Sequence, residues 1–274
     1  MYYIYKDSLP YWFVVYSAVC LVFCAAPCRA QKIPVSKGEI ERIGQMIFLN
    51  ECGGDIKKLV WWNKGEEFPS LGIGHFIWYP KGVEGPFDES FPKLLRFIKD
   101  QGTPLPTWIK TLHGGNAPWS SPAALRQDGK RVEEMRQFLA ATMSLQTEFI
   151  IARFYQALPR IMQAAAPGRR LHIRQQFNRV AYVPGGLYPL VDYISFKGEG
   201  VLETERYKDE GWGLLQVLEE MHGTKRGNEA LLEFVEAAEV VLRRRVANAP
   251  PGRSENRWLP GWLSRLRTYL PQEE

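Results

Sequence analysis

The sequence has little cysteine and lacks the short motifs by which metals and nucleotides are commonly bound. Of four cysteines in 274 residues, three lie between positions 20 and 28 and only Cys52 comes later, so residues 31–274 cannot form an internal disulfide. The four histidines show no metal-binding spacing, and there is neither a phosphate-binding Gly-Lys-Ser/Thr loop nor a Gly-x-Ser-x-Gly elbow. We therefore expect no metal and no cofactor.

A strong excess of one charge is also missing. Lys and Arg number 35 and Asp and Glu number 30, which leaves a net charge of +5 and gives no reason to expect a nucleic acid partner. The hydrophobic content of 45% is that of a globular protein, whereas 19 Pro and 24 Gly argue against a simple helical bundle. A mildly basic chain suits an anionic cell wall or membrane face.

The first thirty residues have the pattern of a secretory signal. No charged residue lies between Asp7 and Arg29, the stretch is rich in apolar residues, and small residues precede a cleavage point after Ala30. We predict a signal peptide at residues 1–30; an uncleaved membrane anchor is the alternative, because the stretch is long enough to span a bilayer. Either outcome predicts an exported protein, periplasmic or secreted, whose residues 31–274 form one domain.

The first helix of that domain has an explicit start signal. Ser36 and Glu39 stand three residues apart, as in a capping box, where each side chain bonds the other's free backbone N–H. Three isoleucines then recur at helical spacing, and the next step of four residues reaches Glu51 before a Gly-Gly pair ends the helix. The apolar face of this helix therefore ends in a carboxylate.

The remaining residues predict further helices around one small sheet. Residues 59–62 and 70–79 read as the two strands of a hairpin, and residues 80–128, rich in Pro and Gly, read as a long surface insert with one helix near 91–99. Apolar spacing predicts helices at residues 132–166 with a break near Pro159, and at 187–194, 214–221 and 229–246. The expected fold class is α+β, predominantly helical, with a small N-terminal β-hairpin.

Glu51 is the main candidate for chemistry. A carboxylate on the apolar side of a helix is desolvated, and one at a helix C-terminus meets the negative end of the helix dipole, so both effects oppose its ionisation. Such a group suits a general acid. The alternative is that Glu51 swings out to solvent.

The segment from Phe48 to His75 resembles the phage-type lysozymes. Those proteins carry a catalytic Glu at the end of the first helix and, after a hairpin, a strand similar to Ser70-Leu71-Gly72-Ile73-Gly74-His75. The resemblance implies a lysozyme-like fold and a peptidoglycan substrate. It also implies that Glu51 protonates the glycosidic oxygen, that Ser70 takes the place of a water-positioning Thr, and that Gly72, Gly74 and His75 line the sugar groove.

The second carboxylate of that family is missing at its expected place. The family carries an Asp in the hairpin loop, where this chain has Asn63, and an amide cannot act as a base. Either Glu66 or Glu67 has taken the role across a shifted turn, or the enzyme works with one carboxylate, as lytic transglycosylases do. The sequence leaves both mechanisms open, with Glu66 as our candidate base.

Two further segments carry fainter similarities. Phe196-Lys197-Gly198-Glu199-Gly200 is similar to a glycine turn that follows a central helix in these lysozymes, although a glycine helix cap explains it equally well. The segment around Trp212 resembles a Gly-Leu-Met-Gln motif of other lysozyme-like enzymes. In those enzymes the motif lies in the hairpin soon after the catalytic Glu, a place that Gly72 to His75 already hold in this chain. Trp212 is a candidate sugar platform, with burial in the helical core as the alternative.

The sequence thus predicts an exported lysozyme-like enzyme that cleaves peptidoglycan between N-acetylmuramic acid and N-acetylglucosamine. The competing hypothesis is a non-catalytic envelope protein that uses the same scaffold to bind glycan or a protein partner, because fold does not fix function. Activity on a related amino-sugar polymer such as chitosan is a third hypothesis. The oligomeric state stays open.

Overall fold

Helix α1 (Lys37–Cys52) begins and ends as the sequence predicts in the computed structural model, which describes residues 33–112 and 114–271. The Ser36 hydroxyl accepts a hydrogen bond from the Glu39 N–H at 3.2 Å, and Gly53 ends the helix in the left-handed conformation with φ of 61°. The predicted signal segment lies outside the described residues. Within them, no helix is both long and apolar enough to cross a membrane.

The sheet next to α1 has three strands rather than two. Strands β1 (Val60–Trp61), β2 (Ser70–Leu71) and β3 (Phe76–Ile77) pair antiparallel in that order. The prediction of one continuous strand over residues 70–79 is wrong, because residues 72–75 form a turn that folds the segment back on itself. The Gly-x-Gly-His sequence is therefore a hairpin turn between β2 and β3.

The described chain is 61% helix and 5% strand, which confirms a predominantly helical α+β protein. Its further helices are α2 (Phe91–Asp100), α3 (Thr107–Lys110), α4 (Pro122–Gln127), α5 (Gly129–Ala141), α6 (Met143–Ala164), α7 (Arg170–Ala181), α8 (Leu187–Lys197), α9 (Leu214–Glu220), α10 (Asn228–Asn248) and α11 (Leu259–Arg267). A second small sheet pairs β4 (Arg206–Tyr207) with β5 (Glu210–Gly211). Neither α7 nor this second sheet follows from the sequence patterns above.

The helical region 132–166 breaks at a different residue from the one predicted. Pro159 lies inside α6, and the interruption between α5 and α6 comes at Thr142. The Thr142 hydroxyl donates a hydrogen bond to the Phe138 carbonyl at 2.8 Å and so competes with the helical backbone pattern. Buried neighbours on both sides of Pro159, among them Leu158 and Ile161, hold α6 in place despite the lost N–H.

The Pro- and Gly-rich insert is anchored in the core by a few residues, although most of its residues stay exposed or half-buried. Phe91 of α2 and Trp119 are both fully buried, and their rings lie 4.8 and 6.2 Å from the ring of Trp78, which follows β3. The Trp78 indole N–H also donates to the Gly115 carbonyl at 2.7 Å. These aromatic contacts hold the irregular backbone of the insert against the rest of the domain.

Helix α6 is the central helix and packs against α1, α2, α7 and α8. Its approach to α1 is close, because a side chain at Gly44 would overlap the Thr147 hydroxyl. Every described residue belongs to one compact unit. The helices thus share a single core, the sheet contacts α5 and α2, and the turn between β2 and β3 is bonded to the start of α6.

A backbone contact fixes the turn after α8. The N–H groups of Leu214 and Leu215, at the start of α9, donate to the carbonyls of Gly198 and Glu199 at 3.1 Å each. A Cβ on Gly213 would overlap the backbone nitrogen of Gly200. The two glycine segments that resemble lysozyme motifs therefore pack on each other, and their glycines serve that contact.

Replacing Gly213 by Ala should destabilise the fold, because the clash is with backbone that cannot rotate away. We expect a loss of about 3 kcal/mol in the free energy of unfolding, measured by urea denaturation. Gly38→Ala is the matched control: nothing lies within 4 Å of a Cβ at this position in α1, so it should stabilise the protein by about 0.5 to 1 kcal/mol. Equal effects of the two substitutions would contradict the close backbone contact.

Candidate active site

Glu51 is held in place by two cationic or potentially cationic side chains. It lies one residue before the end of α1, and its side chain is 19% exposed. The Arg265 guanidinium donates to Oε1 at 2.5 Å, and Nδ1 of His75 lies 3.2 Å from Oε2. Both carboxylate oxygens therefore have partners within the protein, and Glu51 does not swing out to solvent.

Arg265, on α11, joins Glu51 to a second and deeper carboxylate. Its Nε and Nη2 donate to the two oxygens of Asp192 at 2.8 Å each, and the Tyr269 hydroxyl donates to Asp192 Oδ2 at 2.6 Å. The Asp192 side chain, on α8, is 0% exposed. Burial opposes the charge of Arg265, but Asp192 and Glu51 outweigh it and hold the pKa of Arg265 above its usual value.

The motif search did not find Arg265 or Asp192, and only one of them leaves a signal in the sequence. Asp192 is the single charged residue within the apolar run from Leu187 to Phe196, and an isolated acid in such a run indicates a buried partner. Arg265 lies among other arginines near the end of the chain and stands 214 residues from Glu51. Its role follows only from the folded structure.

A side chain of α6 holds the turn that carries His75 in place. The Ile73 N–H donates to Gln146 Oε1 at 2.9 Å, and the other end of the fully buried Gln146 side chain donates to the Leu139 carbonyl at 2.6 Å. His75 itself has a φ of 46°, a left-handed conformation that is unusual for a residue with a side chain. This geometry brings the His75 ring to Glu51.

Gly72 and Gly74 are required by packing inside the protein. A Cβ on Gly72 would overlap the Gln146 side-chain oxygen, and one on Gly74 would lie 2.9 Å from the Phe76 ring and 3.1 Å from Ile150. The internal contacts alone thus account for both glycines. A role in letting sugar approach the backbone stays a prediction, and it concerns Gly74 more than Gly72, because Gly72 is buried whereas Gly74 is partly exposed.

Glu66 and Ser70 meet in the loop between β1 and β2. Glu66 Oε2 accepts a hydrogen bond from the Asn63 amide at 3.0 Å and a longer one from the Ser70 hydroxyl at 3.4 Å. The Trp62 indole N–H donates to the Glu66 carbonyl at 2.8 Å and fixes the loop. Glu67 is exposed, so Glu66 is the carboxylate that this loop positions.

A groove of about 540 Å³ begins at the turn between β2 and β3. It is lined by Gly74, by Phe97 of α2, by Phe149 and Arg153 of α6, and by Ser195 of α8, together with neighbouring residues. The groove combines aromatic rings with charged and hydroxyl groups, and its size is within the range of small-molecule sites. Gly74 is the residue before His75, but Glu51 and His75 themselves are not among the residues that line the groove.

Trp212 does not present its ring to solvent. Its exposure is 6%, the Arg245 guanidinium lies 4.0 Å from its ring centroid, and the Tyr207 ring is 4.5 Å away. The prediction of a sugar platform at Trp212 is therefore wrong, and the alternative of burial is confirmed. Glycine neighbours indicated an open ring, but those glycines serve the backbone contact after α8.

The described residues offer no obvious metal centre or reactive thiol. None of their His, Cys, Asp and Glu side chains form a group of three or more that could hold a metal ion. Cys52 follows Glu51 but is fully buried, and burial, together with the nearby Glu51, raises the pKa of its thiol to about 12. The thiol is therefore protonated at neutral pH and is a poor nucleophile.

Lys197, at the end of α8, is a buried amine in an aromatic layer beside Arg265. It is 8% exposed, and its Nζ lies 3.2 Å from the ring centroid of Trp262 and 4.0 Å from that of Phe196. Burial first, and then the charges of Arg245 and Arg265, lower the pKa of Lys197 to about 6 against the opposing effect of Glu255. The amine is mostly neutral at pH 7.

This amine should make stability depend on pH. Between about pH 6 and pH 10.5 the unfolded chain binds one more proton at Lys197 than the folded chain, so stability should rise with pH by up to about 1.4 kcal/mol per unit. Lys197→Met should remove that contribution and stabilise the protein at pH 7 by about 1 to 4 kcal/mol. Urea unfolding at pH 7 and pH 9 tests both, with the exposed Lys64→Met as control; an unchanged pH dependence in Lys197→Met would contradict this assignment.

Comparisons with protein-family models, with curated protein sequences and with solved structures find no match to this chain.

Proposed function

We propose that this protein is an exported glycosidase with a lysozyme-like fold that cleaves the glycan strand of peptidoglycan, with Glu51 as the general acid. One observation carries the proposal: Glu51, at the end of α1, lies 3.2 Å from His75 in the Gly-x-Gly-His turn. These are the two separate parts of the lysozyme resemblance, and they are in contact. The groove that begins at Gly74, the residue before His75, is large enough for a sugar.

Arg265 can contribute to the end of the proposed proton transfer from Glu51. Once Glu51 has given its proton to the glycosidic oxygen, it is an anion, and Arg265 at 2.5 Å stabilises that anion. Asp192 orients Arg265 through two hydrogen bonds. Arg265 therefore acts as a positioning residue that stabilises the anion left after the transfer.

Glu66 is our candidate for the second carboxylate. Glu66 lies three residues after Asn63, which occupies the place of the loop Asp in the lysozyme pattern. The Asn63 amide donates a hydrogen bond to Glu66 and orients it. The Ser70 hydroxyl donates to the same carboxylate oxygen, so two side chains fix the orientation of Glu66. A carboxylate oriented in this way would act as the base for an attacking water in a hydrolytic mechanism.

A second candidate function has one observation in its favour. Both oxygens of Glu51 are engaged, by Arg265 and by His75, so neither is free to approach a glycosidic oxygen. A protein of this kind would bind glycan or an envelope partner without cleaving it. The variants described next separate this candidate from the enzyme.

Glu51→Gln should lower the release of soluble muropeptides from purified peptidoglycan by roughly a thousandfold, because an amide cannot donate the proton. The fold should persist, since Arg265 keeps its two bonds to Asp192, and thermal unfolding checks this. Glu41→Gln, an exposed position on the same helix, is the control and should keep full activity. An unaltered protein that binds peptidoglycan but releases no fragments would instead support the binding function.

Glu66→Gln should also abolish cleavage, whereas Glu67→Gln should retain it, because only Glu66 contacts Ser70. Mass spectrometry of the fragments gives the mechanism: hydrolysis leaves a reducing N-acetylmuramic acid end, and attack by the sugar hydroxyl leaves a 1,6-anhydro end that is lighter by one water. Anhydro products from a still active Glu66→Gln variant would show that Glu66 is no base.

A further inference from the structure

A second pocket, of about 700 Å³, lies away from the Glu51 contacts. It is formed by α7, by the loop that follows α7, and by residues 222–227 between α9 and α10. His172, Arg179, His222 and Arg226 are among the residues that line it. None of these residues contacts Glu51, Arg265 or Asp192 in the bonds described above, so the pocket is a separate feature.

One wall of the pocket is irregular backbone that α10 holds in a fixed shape. The N–H groups of His222 and Gly223 both donate to Glu233 Oε1, at 2.7 and 2.6 Å. A Cβ on Gly223 would lie 2.5 Å from the other Glu233 oxygen, so this approach requires glycine. The pocket wall is therefore preformed.

Helix α7 fixes the same wall from the opposite end. The Gln176 amide donates to the Gly223 carbonyl at 3.3 Å, and Arg179 Nε donates to the Lys225 carbonyl at 2.7 Å. A short loop between two helices thus has four side-chain bonds to its backbone. Loops that a rigid scaffold holds in one shape are where binding sites commonly form.

The pocket lining is basic. Four of its side chains are His or Arg, and the described residues that line it include no Asp or Glu. Two acids of α10 lie against this loop: Glu233 is already engaged by Arg179 and the two backbone N–H groups, and Glu229 is paired with Lys225. Burial works against the charge of Glu233, but its hydrogen bonds outweigh burial and hold the pKa of Glu233 below its usual value.

Two of the basic side chains remain open to a ligand, and a third has an unmet hydrogen bond. The side chains of His222 and Arg226 are exposed. Nε2 of His172 is shielded from solvent without a hydrogen-bond partner in the described structure, and its ring centroid is 5.8 Å from that of His222. Such an unpaired atom carries a free-energy cost, but because it is shielded it is not itself a donor to a ligand in this structure. Tyr182, 61% exposed, adds a flat ring at the pocket edge.

We propose that this pocket binds an oxyanion, the phosphate or carboxylate group of a larger molecule, with His222 and Arg226 as the main donors. The remainder of the ligand would lie against the Tyr182 ring. The ligand class follows from the lining: a basic, preformed pocket without acids selects an anion, and guanidinium and imidazole N–H groups bond to oxyanions. The proposal is independent of the glycosidase function.

Isothermal titration calorimetry with the purified protein tests the pocket. The probes are inorganic phosphate, glycerol phosphate and succinate, each added at constant ionic strength. Arg226→Ala and His222→Ala should each weaken binding of the preferred probe at least fivefold. Their fold should persist, because both side chains are exposed and residue 222 keeps its N–H to Glu233. Arg126→Ala removes an equally exposed arginine from α4 and should change the affinity less than twofold.

The three probes distinguish the two sources of the anion. Tighter binding of a phosphate probe would support the pocket and assign a phosphate ligand, and tighter binding of succinate would support it and assign a carboxylate ligand. Absence of saturable binding to the unaltered protein would overturn the proposal. Equal weakening by Arg226→Ala and Arg126→Ala would also overturn it, because binding would then reflect overall charge.

Discussion

The buried charge of Asp192 is the constraint on which the candidate active site depends. A carboxylate with no exposure to solvent must be neutralised by a fixed partner, and Arg265 supplies two hydrogen bonds to it. This pair ties α8 to α11, and the Nη2 nitrogen that bonds Asp192 also donates to Glu51 on α1. Removing one member of such a pair typically costs about 3 to 5 kcal/mol, so the position of Glu51 is coupled to the stability of the core.

The parts of the site that the sequence predicts are the parts that local interactions determine. The start of α1 follows from the Ser36 cap, and its end follows from Gly53, so the placement of Glu51 at a helix terminus could be derived from about sixteen neighbouring residues. The partners of Glu51 could not be derived in this way. Arg265 and Asp192 lie 73 residues apart, and only the tertiary fold brings them together.

The same distinction explains where the predictions of secondary structure failed. Because proline has no backbone N–H, a helix break was predicted at Pro159. Buried contacts along α6 outweigh the loss of that one hydrogen bond. Alternation of apolar residues predicted one strand over residues 70–79, whereas the buried Gln146 amide stabilises a turn at Ile73. In both cases a contact with a distant part of the chain decides the local structure.

The backbone conformation of His75 lowers the stability of the hairpin turn but places the imidazole ring beside Glu51. A left-handed residue that has a Cβ is less stable than glycine there by about 1 kcal/mol. Glycine would fit this backbone more easily but would leave Glu51 Oε2 without its ring partner. A laboratory selection that rewards heat resistance alone should therefore enrich glycine at this position. A selection that also rewards function should retain the histidine. The difference between the two selections would show how much stability is lost by placing an imidazole beside a carboxylate.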